Sequence, residues 1–277
     1  MYLFATWAVS SLFYFLIIKS AGTNAASGAY VTGLMWCPAT GALLTCKYLG
    51  PIASLGWRWG KTRYQVMGYL IPLGYSTVGY AIAWLTGIAG INPEQSADGL
   101  SRWLGLGSLS RPLAISGYFL VIATTGVIQN CATTLGEEIG WRGFLVPELS
   151  KSFSFTATSV VSGLIWALWH LPIIVFAGYN VGTGWFGLAV VSANMIGLCF
   201  VLTWLRLKSG NLWTCVILHA SNNRFIQHFF DPLIAHNDRT RHILGEFGIG
   251  FTLVVAVFAA YFWTRRAEVS GPQQPAT

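Results

Sequence analysis

Three short clusters in this 277-residue chain carry side chains able to move protons or hold developing charge. The first, Gly136-Glu137-Glu138-Ile139-Gly140-Trp141-Arg142-Gly143, sets two adjacent carboxylates and an arginine between apolar stretches. On a helix Glu138 and Arg142 stand four apart and can pair, which leaves Glu137 pointing elsewhere. Adjacent carboxylates near low dielectric resist ionising together, so one of them is suited to act as a general base. The plainer alternative is an interfacial salt bridge with a spare glutamate. In the second cluster, Trp166-Ala167-Leu168-Trp169-His170-Leu171-Pro172, His170 shares a helix face with Trp166. Pro172 should kink or end that helix and free carbonyls to line a polar cavity. The third, His219-Ala220-Ser221-Asn222-Asn223, presents an imidazole and an amide donor four residues apart. Taken singly, either histidine reads equally well as interhelical hydrogen-bonding glue.

These groups must be positioned by a membrane bundle. The chain is 54% hydrophobic and only 9% charged, where soluble domains carry roughly 25% charged residues. A spanning helix needs about 20 mainly apolar residues. Uncharged runs give about eight spans: Tyr2 to Ile18, Gly28 to Cys46, Tyr64 to Gly90, Leu113 to Thr134, Thr156 to Ala177, Trp185 to Leu205, Leu212 to Phe230 and Gly245 to Trp263. The expected fold is an all-α polytopic membrane helix bundle. A single transmembrane domain covers 1–266, the motif region is 113–230, and 267–277 is read as a disordered cytoplasmic tail. The absence of a basic residue before Met1 to Ile18 favours a first span over a cleaved signal peptide. Ionisable side chains at membrane depth are costly unless they face the protein interior, which makes the three clusters the first candidates for function. Gly136, Gly140 and Gly143 remove bulk, so another helix can come close beside the glutamates.

Basic residues set the orientation. Alternating the spans puts Lys47, Arg58, Lys61, Arg63, Arg142, Lys151, Arg206, Lys208, Arg265 and Arg266 on one side. Lys19, Arg102, Arg111, Arg224, Arg239 and Arg241 fall on the other, so both termini are expected in the cytoplasm. Trp57 and Trp59 flank Arg58 as interfacial anchors. The net charge of +7 is spread singly between apolar runs and does not form a nucleic-acid surface. The five cysteines lack CxxC spacing and read as small buried hydrophobes. No HExxH, GxSxG, P-loop or GxGxxG unit is present.

Taken in order, the clusters resemble the motifs of the CAAX-processing and bacteriocin-processing (Abi) family of intramembrane proteases: EExxxR, FxxxH and HxxxN on successive spans. Here these are Glu137-Glu138 with Arg142, His170 with Trp166 in the aromatic position, and His219 with Asn223, over about Leu113 to Phe230. Trp166 for Phe is the departure, and it bears on pocket width. The resemblance implies a helical bundle with a cavity opening toward the cytoplasm, and peptide-bond hydrolysis within the membrane. It also implies that Glu137 and His170 activate water, that His219 and Asn223 bind the oxyanion, and that Glu138 and Arg142 support Glu137. The implied partners are membrane lipid and a peptide or lipidated protein: a prenylated CAAX tail, a bacteriocin precursor or another membrane peptide.

Two other readings compete. Intramembrane Glu and His also mark ion pathways, although no repeated half with matched broken helices points to a transporter. A non-proteolytic scaffold or peptide-immunity protein of the same fold is the nearer alternative. No metal or other cofactor is assigned, though Glu137, His170 and His219 are chemically suited to a catalytic zinc. The topology leaves Glu137 near the boundary while the histidines fall deeper. The fourth span must therefore extend past Thr134, or the site must lie in a water-filled funnel.

Overall fold

The computed structural model describes residues 1–20, 27–49, 52–92, 110–179 and 182–269. Each apolar run forms a helix: α1 Tyr2–Ser20, α2 Ser27–Leu49, α3 Thr62–Leu85, α4 Arg111–Ser150, α5 Phe155–Phe176, α6 Gly184–Ser209, α7 Trp213–Asn223 and α8 Ile249–Thr264. A π-helical turn, Arg224–Phe230, extends α7. Helices α1, α3, α4, α5 and α6 are long and apolar enough to cross a membrane. The architecture is a polytopic helical bundle, and among the described residues its one sheet-like feature is the isolated bridge Ile91 to Ile234. Arg102 lies outside the described residues, as does 270–277 of the tail, while Arg266–Val269 forms a 3-10 turn.

Local chemistry sets the ends. Ser154 caps α5, its hydroxyl accepting the Ala157 N–H at 3.3 Å. Gly210 closes α6 at φ 70°, a left-handed position that suits glycine. Pro172 lies inside α5, and the helix runs one further turn to Phe176 before it ends.

Helix α4 continues without a break past Thr134. Its 40 residues at 1.5 Å each make a rod of about 60 Å, twice the hydrocarbon thickness of roughly 30 Å. The helix thus runs on through the polar cluster, and Glu137 lies about 20 Å along the axis from Ser150.

Successive helices alternate in direction and gather the connections on two faces. On the face that holds both described ends of the chain, Leu212 N–H donates to Gly56 O at 2.8 Å and Trp204 Nε1–H to Arg265 O at 3.1 Å. Lys208 pairs with Glu268 there at 3.0 Å. On the opposite face Asn92 N–H donates to Leu233 O at 2.8 Å. Trp57, whose indole N–H bonds Ile52 O at 3.0 Å, also accepts from Trp213 Nε1 at 2.8 Å, as an interfacial aromatic anchor should.

Lipid tails are as apolar as leucine, so the helices associate through close packing more than through burial from water. Glycine supplies the closeness where the motifs lie. A Cβ on Gly136 would stand 2.6 Å from Met35 O, and one on Gly140 2.4 Å from Pro38 Cβ, so α2 lies directly against the glutamate segment of α4. Trp141, Trp169, Trp204, Tyr75, Phe225 and Phe251 fill the interior, whereas Phe4, Leu120, Ile128 and Val257 point outward as lipid-facing residues do.

Candidate active site

Two π-helical turns flank the motif residues. Glu137 and Glu138 end an α-helical stretch of α4, and Ile139–Leu145, which carries Arg142, continues it as a π-helix. Asn223 likewise ends the α-helical part of α7 immediately before Arg224–Phe230. Such turns interrupt the regular ladder and occur often at functional sites.

The side chains form one buried cluster. Arg142 Nη1 donates to Glu138 Oε1 at 2.8 Å, and His219 Nδ1 meets the same oxygen at 2.9 Å. Glu138 and Arg142 are 0% and 1% exposed, so each charge depends on the other. Glu137 is held differently: its Oε2 accepts the indole N–H of Trp166 at 2.8 Å and, more weakly, that of Trp141 at 3.4 Å. His170 Nδ1 lies 3.0 Å from Trp166 O. A carbonyl and a carboxylate can only accept, so both histidines donate from Nδ1 and turn Nε2 away from these partners.

Trp166 is the centre of the arrangement. The Arg142 guanidinium sits 4.4 Å above its ring. His219 and His170 approach the ring edge-on at 5.2 and 5.8 Å. On the far side of His170 stands Trp169 at 4.8 Å, itself packed on Trp141 at 5.7 Å. Glu138, Arg142 and His219 are therefore joined directly, and Glu137 and His170 are joined through Trp166. Asn223, half-buried one turn beyond His219, accepts from Asn222 Nδ2 at 3.2 Å and makes no direct bond to either glutamate. Sequence reasoning missed Cys199, whose sulfur accepts from Arg142 Nη2 at 3.1 Å, and Arg206, whose Nε donates to Arg142 O at 2.8 Å. Neither carried a signal, since one read as a small hydrophobe and the other as a topology marker.

Residues 117–225 fit the family model described as type II CAAX prenyl endopeptidase Rce1-like, and that stretch contains all six motif residues. CAAX prenyl protease 2 of Methanococcus maripaludis is 27% identical over 128 residues, covering 44% of this chain and 44% of that protein. The central segment is Rce1-like. The family resemblance that the ordered motifs carry is matched over this central segment, which is similar to CAAX-protease hydrolases. The Rce1-like segment runs from Gly117 in α4 to Phe225 in the π-turn, so α1, α2, α3 and α8 supply their contacts from outside it.

Glu137, His170 and His219 are not gathered as a three-ligand zinc set in this structure. Glu137 Oε2 is taken up by two indoles and Glu138 Oε1 by Arg142 and His219. Among the described residues no three His, Cys, Asp or Glu side chains gather as a ligand set.

Beside the Rce1-like segment, toward the face opposite the chain ends, lies a cavity of about 800 Å³ lined by Tyr179, Ile226, Gln227, Asp231, Glu246 and neighbours. Gln227 Nε2 donates to Glu246 Oε1 at 2.7 Å. Burial in this connection pushes the Glu246 carboxyl above its ordinary range, and the Gln227 hydrogen bond opposes that shift.

Proposed function

We propose that this protein is an intramembrane endopeptidase that hydrolyses a peptide bond of a membrane-associated or lipidated peptide, with water activated by Glu137 and His170. One observation supports the choice of base above all. Glu138 is neutralised by Arg142, whereas the hydrogen-bond partners of Glu137 are neutral indoles. Glu137 is the carboxylate free to take a proton.

Water held between Glu137 and His170 Nε2 attacks the scissile carbonyl while Glu137 accepts its proton. The carbonyl oxygen becomes an oxyanion, which takes hydrogen bonds from the Asn223 amide and from His219 Nε2–H. Because His219 already donates Nδ1–H to Glu138, it can donate from Nε2 only as an imidazolium, and the Glu138 carboxylate stabilises that cation. As the tetrahedral intermediate collapses, the proton on Glu137 passes to the leaving amine. The name of the Methanococcus relative, CAAX prenyl protease 2, makes a prenylated C-terminal peptide the first substrate to try.

On the chain's own charge distribution we assign both termini to the cytoplasm. The cavity then faces away from the cytoplasm, against the cytoplasmic opening that the resemblance implies. Reporter fusions at the two ends decide between charge and resemblance. The function is tested by comparing membrane peptides in cells carrying the native chain and Glu137→Gln. Substrates that keep an uncleaved terminus only in the variant support the protease. Identical peptide profiles would point to the scaffold instead.

A further inference from the structure

Asn223 ends a hydrogen-bonded chain that begins outside the Rce1-like segment. Tyr75, fully buried on α3, stands edge-on to Phe251 at 5.7 Å and Phe258 at 5.6 Å on α8. Its hydroxyl donates to Asn222 Oδ1, and Asn222 Nδ2 donates to Asn223 Oδ1 at 3.2 Å. The order of donors has a consequence. With the phenol hydrogen given to Asn222 Oδ1, the acceptor end of that amide is occupied and its NH2 end is left for Asn223. Asn223 then uses its oxygen within the protein and keeps its own NH2 for another acceptor. An asparagine amide can rotate half a turn with little change in shape, and the wrong end would set a lone pair against a developing oxyanion. Oxyanion stabilisation depends on donors fixed before the charge appears.

We infer that Tyr75 and Asn222 are positioning residues that hold the Asn223 amide with its donor end toward the reacting carbonyl. This rests on the assignment of Asn223 to the oxyanion. Neither residue belongs to the three motifs as spaced pairs, and Tyr75 comes from a helix that the family match does not cover. Its neighbours are aromatic rings, so Tyr75→Phe keeps the packing and removes only the donor.

The test is a double-mutant comparison on purified protein, with a farnesylated CAAX peptide as the probe. Tyr75→Phe should lower kcat about 3- to 10-fold, the worth of one neutral hydrogen bond, at unchanged KM. Asn222→Leu, similar in size but without donor or acceptor, should do the same. Both effects should shrink below about 2-fold in the Asn223→Ala background, because residues acting through one group are not additive. Equal losses in both backgrounds, or wild-type kcat in both variants while Asn223→Ala is impaired, overturn the relay and leave Asn223 in place. Wild-type kcat in Asn223→Ala overturns the oxyanion assignment and the relay with it. If Tyr75→Phe does not fold, Asn222→Leu decides by the same comparison.

Discussion

Replacing Trp166 by Phe trades the buried indole for a smaller ring and removes its N–H donor. An aromatic face toward Arg142, His170 and His219 is retained, while the 2.8 Å bond from the indole N–H to Glu137 Oε2 is lost. Hydrogen bonds to charged groups contribute about 1.5–3 kcal/mol, which at 1.36 kcal/mol per decade is about 10- to 150-fold in rate. Trp141 still reaches the same oxygen, but at 3.4 Å, so the loss should fall near the lower end. The bond orients a base and does not touch substrate, so kcat should drop roughly 10-fold while KM holds. The measurement is steady-state cleavage of a farnesylated CAAX peptide by protein in proteoliposomes, alongside a check that the variant melts at the native temperature. Native kcat in Trp166→Phe would refute the idea that the indole sets Glu137. A raised KM at constant kcat would instead make Trp166 a wall of the substrate pocket.

Other perturbations separate chemistry from support. Glu137→Ala, His170→Ala and His219→Ala should each abolish cleavage with membrane insertion intact, and Asn223→Ala should lose on the order of 100- to 1000-fold in kcat. Arg142→Ala leaves Glu138 buried without its cation and should destabilise the fold by about 3–5 kcal/mol, read as a lowered melting temperature in detergent. Glu246, its carboxyl pushed up by burial, favours folding most where it is protonated in both states, below about pH 4.5, and this contribution is lost as pH rises through its folded value. Glu246→Gln should therefore raise the melting temperature at pH 8 and leave it unchanged at pH 4, and no difference at pH 8 would contradict the burial argument.

The parts of this site that were legible in the sequence are those set by helical spacing. Glu138 with Arg142 follows from a separation of four on one helix, and the contacts of Gly136 and Gly140 with α2 follow from missing side chains. The full length of α4 was not legible, because the polar cluster interrupts the apolar run while the backbone continues through it as a π-helix. Contacts across the bundle were out of reach too. Trp166 finds Glu137 from 29 residues away and Tyr75 finds Asn222 from 147, and both depend on how neighbouring helices are rotated and shifted, which no local pattern records. The aromatic position of the second motif was visible, but that its indole nitrogen would bond the carboxylate was not.

Cleavage by the isolated protein tests the central claim most directly. The native chain and Glu137→Gln would be purified, reconstituted at equal density into liposomes and incubated with a farnesylated CAAX peptide, and the products weighed by mass spectrometry. The native chain should release a shortened lipidated peptide and its C-terminal fragment, each with the mass of simple hydrolysis, and the folded variant should release neither. Fragments formed equally by both proteins would remove Glu137 from the mechanism.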